Sequence, residues 1–503
     1  MKNISLSLLL VYTAVSWAQP QSATVTLNKK QDVSNIIPLG VDGGFILHVS
    51  EQYAGREKNS EMYYFDASLT NKWQVSIDNP TNNLFEEFLI GSAFSNYVYY
   101  IQEKKSTSFS NPEYIITRID KDGKKTLFSY KPSKEFNNSS MIAAYTDNVG
   151  MNFMVQYTPK VKKGETQKTQ INIYQVKHDK KTFDLLDTKI KELLSEDEQE
   201  IFIEYLGHDD ENVYLSQKLV SLRENAVKYT IYSISKGDYS IVSEDEFIVA
   251  PKNELVASTN LRTQDGARIY NQDYNVVVTS SGRTTYTTYY ANAGSFGCAK
   301  LDLANGKFII YGLTSSKKFV TPAPDKKGKK STGVGLVNDV AGAYVVAFDI
   351  NTGKELSKNE FLFNKDVPAK VNVSSFYTRA IWFDILADNF YRISVARQYT
   401  SDKNQVVYSH FVSKNEKPEY KSFSFPARKN ETLWHMRFTS NMAVSTSFAP
   451  TEAVKFASNT AELRTKEYSK FGILLPSKII LAKNYSYTKT PKIEFTGFDI
   501  KNN

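Results

Sequence analysis

The sequence predicts an all-β fold built from repeated four-stranded units, and three observations predict it. Short runs of β-branched and aromatic residues recur along the chain. Phe, Tyr and Trp supply 13 % of its 503 residues, and such side chains fill pleated, half-buried surfaces. One stretch, GAYVVAFDINTGKELSKNE at 342–360, reads as a buried strand, an Asx-type turn at Asp349–Lys354 with Gly353 free to take a positive φ, and a more polar return strand. Comparable turns follow at a period of tens of residues: Asp66 to Asp120 spans 54 positions and Asp120 to Asp179 spans 59, room for four strands each.

Taken in order, Ala23–Leu27 is a lone alternating run. Ile36–Val41, Phe45–Val49, Glu61–Asp66 and Lys72–Ile77 form a first block of four strands. Phe88–Ala93, Tyr97–Gln102, Tyr114–Asp120 and Lys125–Tyr130 form a second. Met141–Tyr145, Asn152–Tyr157, Gln170–Lys177 and Thr182–Leu186 form a third, and Ile201–Leu206, Asn212–Leu219, Lys228–Ser235 and Tyr239–Ser243 a fourth. The stretch 256–290 carries strand signals at Arg268–Tyr270, Asn275–Thr279 and Thr284–Tyr290 without a secure phase. Cys298–Leu303, Lys307–Leu313, Ala343–Asp349 and Glu355–Phe361 make the next block, interrupted by an exposed loop at Thr321–Thr332. Phe376–Leu386, Phe390–Arg397, Val406–Val412 and Tyr420–Phe425 make another. A last block spans Leu433–Phe498 with an insertion near Thr451–Ser469.

Two minor helical insertions are expected. Leu185, Leu186, Ile190, Leu193 and Leu194 share a helical face, followed by a capping-box pattern at Ser195–Glu198, and Glu452–Lys470 ends near Gly472. Four-stranded units at this spacing, with an N-terminal strand free to complete the last one, predict a single β-propeller domain over 19–503. Seven blades are expected, with eight as the alternative. Tandem sandwiches are the competing arrangement, but they do not call for a similar hairpin in every period.

The hairpin residues carry a likeness. VVAFDINTGKEL (345–356) resembles the repeat of quinoprotein-like, PQQ-type propellers. YYFDASLTNKW (63–73) is similar, with Trp73 where those repeats often hold a tryptophan, and KLDLANGKFIIYG (300–312) is a weaker third match. The resemblance implies the propeller fold. It does not bring a cofactor, because that family uses calcium and adjacent cysteines, whereas this chain has one cysteine and no acidic calcium loop. No cofactor is expected.

The first eighteen residues read as a signal peptide. Lys2 precedes the apolar run Ile4–Val15, and Ser16–Ala18 is a small-x-small cleavage site. No run reaches the length of a transmembrane helix. With Cys298 as the single cysteine, stability must come from packing. These features point to an exported protein, periplasmic or extracellular in a Gram-negative bacterium, and monomeric. The formal charge of +8 is spread over loops such as Lys160–Lys168 and Lys326–Lys330 and not along one face, so no nucleic-acid partner is expected.

No catalytic or binding residue is assigned from motifs, and no metal site. His48, His178, His208, His410 and His435 lack metal-ligand spacing. Asp209-Asp210-Glu211 and Asp120-Lys121-Asp122-Gly123 read as turns. Ser280–Arg283 and Gly294–Gly297 are not nucleophile elbows, and Gly333-Val334-Gly335 is not a dinucleotide loop. Tyr286, Tyr289 and Tyr290 suit strand packing or a sugar-stacking face. The expectation is a non-catalytic binding or scaffold role, through loops and channel, toward an envelope or extracellular protein or a glycan. The alternative is a carbohydrate-active enzyme, a glycoside hydrolase or lyase, with acids gathered at the central channel.

Overall fold

The structure, a computed structural model, describes residues 21–29, 31–39, 44–53, 56–77, 84–91, 97–104, 113–132, 139–157, 168–180, 183–186, 193–194, 203–221, 225–255, 262–263, 298–315, 342–362, 376–385, 391–399, 405–414, 417–426, 469–474, 478–486 and 488–499. Among these it is all-β, with seven sheets of four or five strands. After β1 (Gln21–Thr26), sheet 1 holds β2 (Gln31–Leu39), β3 (Gly44–Tyr53), β4 (Arg56–Phe65) and β5 (Asn71–Ile77). Sheet 2 holds β6 (Leu84–Gly91), β7 (Val98–Lys104), β8 (Glu113–Ile119) and β9 (Lys125–Tyr130). Sheet 3 holds β10 (Ser139–Thr146), β11 (Gly150–Tyr157), β12 (Lys168–Lys177) and β13 (Phe183–Leu186), with β14 (Leu193–Leu194) also on β12. Sheet 4 holds β15 (Ile203–His208), β16 (Asn212–Ser221), β17 (Ala226–Ser235) and β18 (Ile241–Val249). Each of these four sheets is an antiparallel meander in chain order.

Sheet 5 is fed by two inner pieces. β19 (Glu254–Leu255) and β21 (Cys298–Asp302) both pair with β22 (Lys307–Ser315), which continues to β23 (Gly342–Asp349) and β24 (Glu355–Leu362). Sheet 6 holds β25 (Phe376–Ile385), β26 (Tyr391–Tyr399), β27 (Gln405–Lys414) and β28 (Lys417–Pro426), with β20 (Arg262–Thr263) parallel to β25. Sheet 7 holds β29 (Ser469–Leu474), β30 (Lys478–Asn484) and β31 (Lys492–Asp499), and its fourth strand is β1. Gln21 faces Gly497 and Thr26 faces Lys492 in an antiparallel ladder.

Two edge strands, β5 and β18, show how pairing is limited at a sheet's edge. On β5, Trp73, Val75 and Ile77 turn inward while Lys72, Gln74 and Ser76 turn outward, the period-2 pattern of a half-buried strand. β18 carries Glu244, Asp245 and Glu246 in its exposed centre. Charge on an edge strand opposes further pairing.

Turn chemistry repeats as the sequence anticipates. In the β4–β5 turn, Asp66 Oδ1 accepts from the backbone N–H of Ser68 and Thr70, at 2.9 and 2.8 Å. In the β8–β9 turn, Asp120 Oδ1 accepts from Asp122 and Lys124, at 3.0 and 2.9 Å. In the β23–β24 turn, Asp349 Oδ1 accepts from Asn351 and Thr352, at 3.0 and 2.9 Å. Each turn has one left-handed residue: Leu69, Gly123 and Gly353, with φ of 60°, 80° and 68°. Leu69 bears its unfavourable φ while its side chain is buried in the core. The KLDLANG match lies elsewhere in its sheet, because residues 302–306 join the first strand β21 to the second, β22.

Sheets 7, 1, 2, 3, 4 and 5 pack in succession. One apolar cluster joins sheets 7 and 1 through Phe495, Phe45 and Phe65. Others join sheets 1 and 2 (Trp73, Ile46, Tyr100), 2 and 3 (Tyr114, Phe128, Phe153), 3 and 4 (Ile173, Val213, Ile234) and 4 and 5 (Phe247, Phe308, Phe348). Each fully buried side chain of this size contributes roughly 1.5–3 kcal/mol. The first strands also lie side by side: β2 beside β6, β6 beside β10, β10 beside β15, and β15 beside β21.

At its described positions the helix expected over Leu185–Leu194 is replaced by strand; residues 187–192 and the pattern at Ser195–Glu198 lie outside the described residues. Leu185 and Leu186 pair with Tyr174 and Ile173, and Leu193 and Leu194 pair with Thr169 and Lys168. The open edge of β12 offers a ladder to the same leucines, and it wins over their local helical spacing. Of the second helical candidate, Ser469 and Lys470 belong to β29 and the rest lies outside the described residues. The only helical element among the described residues is a single 3₁₀ turn at Leu303–Asn305. Residues 1–20, the strand signals at Arg268–Tyr290 and the loop Thr321–Thr332 also lie outside them.

Candidate functional site

Each meander brings its first–second turn and its third–fourth turn to the same end of the sheet. A backbone bond ties the two together in three sheets: His178 N–H to Val149 O (3.1 Å), Lys236 N–H to Glu211 O (2.8 Å) and Ile350 N–H to Gly306 O (2.9 Å). At this turn end, sheets 2, 3 and 4 gather the described histidine, tyrosine and arginine side chains that carry potential chemistry.

Asp147 sits at the centre. Its Oδ1 accepts from Val149 and Gly150 N–H at 2.9 and 3.0 Å, and its Oδ2 from Asn152 Nδ2 at 2.7 Å. Gln175 Nε2 donates onward to Asn152 Oδ1 at 3.0 Å. Asp209 repeats the arrangement one sheet later. Oδ1 accepts from Glu211 and Asn212 N–H at 2.8 and 2.7 Å, and Oδ2 from the Tyr214 hydroxyl at 2.6 Å. In both turns the side-chain donor lies five residues after the aspartate. Burial works against ionised Asp209, yet these bonds hold its carboxyl below the usual range, and they help burial push Tyr214 up to about 12.

His178 joins sheets 2 and 3. Its Nε2 lies 2.8 Å from the Asp147 carbonyl, which can only accept, so Nε2 carries the proton. Nδ1 then accepts from the Tyr99 hydroxyl at 2.7 Å. Half-buried Tyr97 stacks parallel on the imidazole, with centroids 5.2 Å apart. Arg118 lies 5.4 Å from the Tyr97 ring centre and donates Nη1 to the carbonyls of Lys177 and Lys180, at 2.5 and 2.7 Å, fixing the turn that holds His178. Burial lowers the His178 pKa and raises that of Tyr99.

His208 joins sheets 3 and 4. Its Nδ1 is 2.6 Å from the Tyr205 hydroxyl, and its ring centre is 4.7 Å from that of Tyr145. Tyr145 and Tyr205 stack at 4.9 Å. Burial, aided by nearby Lys236, brings His208 down to about 4, and burial raises both tyrosines.

The other candidates are placed simply. His48 is buried edge-on to Tyr100, with centroids 5.5 Å apart. His410 is on β27, and His435 lies outside the described residues. Cys298 is buried at the start of β21. Asp120–Gly123 and Asp209–Glu211 are turns. Ser280–Arg283, Tyr286–Tyr290, Gly294–Gly297, Lys326–Lys330 and Gly333–Gly335 lie outside the described residues. Among those described, no three His, Cys, Asp or Glu side chains converge as a metal cluster would. Motif reasoning passed over Asp147, Tyr99, Tyr145, Tyr205 and Arg118. The one available signal was the spacing shared by Asp147–Gly150 and Asp209–Asn212.

No family model matches the chain, and no curated protein matches it significantly. Among solved structures it is similar to the polysaccharide lyase Uly1, at 9 % identity and TM-score 0.38, covering 95 % of this chain and 99 % of that one. It is also similar to a mutant Synechocystis apocarotenoid oxygenase, at 7 % identity and TM-score 0.36, covering 75 % and 69 %. A Trypanosoma rangeli sialidase matches at 10 % identity and TM-score 0.31, covering 94 % and 72 %. At such scores these likenesses carry no argument about activity.

Proposed function

We propose that the seven sheets are the blades of one β-propeller closed by β1. We further propose that the protein is exported and has a non-catalytic binding or scaffold role, engaging an envelope or extracellular protein or a glycan through its turns and channel. Adjacent first strands support the ring, since they are the strands that line a propeller axis. The observation that carries the binding reading is that side chains of catalytic type at the turn end are tied into the framework. Asp147 and Asp209 each take three donors, and His178 uses both ring nitrogens. Groups bonded in this way hold turns rigid, and rigid turns make a pre-organised binding surface. PQQ-like repeats fit this reading as a scaffold likeness without the cofactor.

A second reading rests on half-buried Tyr97 stacked over His178 beside Arg118. With both His178 nitrogens already bonded, the Tyr97 hydroxyl would be the base. A base next to a cation that neutralises a carboxylate is the equipment for eliminating across an acidic sugar, which is lyase chemistry. One experiment separates the two. The secreted protein is incubated with acidic and neutral polysaccharides and with solubilised envelope proteins, and both binding and polymer length are followed. Saturable binding with unchanged polymer length is expected. Shortened polymer bearing unsaturated uronate ends would overturn the binding reading for the lyase, and binding to neither class would overturn both.

A further inference from the structure

We infer that His178 and His208 form an acid-sensitive clasp that holds the turn ends of sheets 2, 3 and 4 together. The two histidines occupy successive seams and do similar work. His178, on the β12–β13 turn of sheet 3, bonds to Tyr99 of sheet 2, and His208, at the end of β15 in sheet 4, packs against Tyr145 of sheet 3. They meet around one aspartate: His178 donates to the backbone carbonyl of Asp147, and the Asp147 carboxylate is among the charges acting on His208.

Both seams suit a neutral imidazole. At His178 one nitrogen must donate and the other accepts, so a second proton on Nδ1 reverses the Tyr99 bond and brings a cation beside Arg118. At His208 the ring lies against buried Tyr145 and half-buried Tyr205, whose hydroxyl bonds its Nδ1, where a charge loses much of its hydration.

The charged neighbours pull in both directions. Facing His178 are Arg118 from β8, which opposes protonation, and Asp147 and Asp179, which favour it. Facing His208 are Lys236 from the β17–β18 turn, which opposes it, and Asp147, Asp209 and Asp210, which favour it. Tyr97, Tyr99, Tyr145 and Tyr205 complete the surroundings, and burial is the largest influence on both rings.

The sign follows from linkage. A free histidine titrates near 6.5. Above that pH both the closed and opened seams hold neutral rings, and stability does not change with pH. As pH falls below 6.5 the opened seam takes up the proton first, so closure weakens progressively until the buried ring also titrates, near 4 for His208. Allowing for partial solvent screening, the opened state gains on the order of tenfold between pH 7 and 5.

Hydrogen exchange of the intact chain at pH 7 and pH 5, corrected for the intrinsic rate, tests this. Peptides spanning 139–157 and 203–217 are expected to lose protection about tenfold at pH 5 relative to the reference 342–362, which holds no histidine. His208→Asn keeps a hydrogen-bonding group opposite Tyr205 but does not titrate, so it is expected to flatten the acid response of 203–217. An unchanged wild type at pH 5, or a full acid response in His208→Asn, would overturn the clasp. Should the variant fail to fold, proton NMR of the five histidines in the wild type decides. An imidazole of His208 titrating near 6.5 contradicts the inference, and one titrating well below supports it.

Discussion

Two glycines with nearly the same backbone separate two reasons for needing glycine. Gly123 has φ of 80° and a Cβ placed there would lie 3.1 Å from Trp73 Cβ, so the β8–β9 turn needs both the left-handed conformation and the close approach to sheet 1. Gly353 has φ of 68°, but nothing lies within 4 Å of its added Cβ. Gly353→Ala is therefore expected to cost about 1 kcal/mol from conformation alone. Gly123→Ala should cost roughly 1 kcal/mol more by chemical denaturation, and equal losses would refute the Trp73 contact. Asp147 offers a second test. Removing its carboxylate strands two turn N–H groups and Asn152, so Asp147→Ala should destabilise by about 2–3 kcal/mol. It also removes a charge that favours protonated His208, so the imidazole should titrate still lower by NMR. An upward movement would show that the two groups are not neighbours in solution.

Strands were the legible level of the sequence. Lys125–Tyr130 and the opening residue of β16, Asn212, fall where the apolar alternation and turn residues put them, because both signals are local. Leu185–Leu194 was misread because five leucine and isoleucine positions satisfy a helical face as readily as two short edge strands, and only the open side of β12 decides between them. The candidate site was illegible for a different reason. Tyr99, Asp147, His178 and His208 come from turns and strands of three sheets, and no local spacing records which turns share an end. β1 was anticipated as a closing strand, and it is anchored beyond its ladder. Val25 and Leu27 enter the core between sheets 7 and 1, and Asp32, at the start of β2, adds a polar tie between the same two sheets by accepting from Asn484 Nδ2 at 2.6 Å and Ser486 Oγ at 3.0 Å. Deleting residues 21–27 leaves the β31 edge unpaired and uncovers that core. The shortened protein is expected to melt several degrees lower and to self-associate in sedimentation. A monomer of unchanged stability would mean that β1 closes nothing.

At the scale of the molecule, the account rests on how seven sheets are arranged about one another. Five successive seams carry apolar clusters, from sheet 7 through sheet 5, and the first strands of sheets 1 to 5 adjoin in order. The proposed radial arrangement would leave each sheet only a short outer edge, and β18 dresses its own with charge. Packing of this kind is what holds together a chain with one cysteine: sheets 1 to 4 each share apolar clusters with a neighbour on either side. An electron-microscopy reconstruction of the protein tests the arrangement most directly. Seven blades around a single axis are expected, with sheet 6 seated between sheets 5 and 7 and β1 as the outermost strand of the blade made by β29–β31. An eighth blade, or two stacked sandwiches with no central axis, would contradict it.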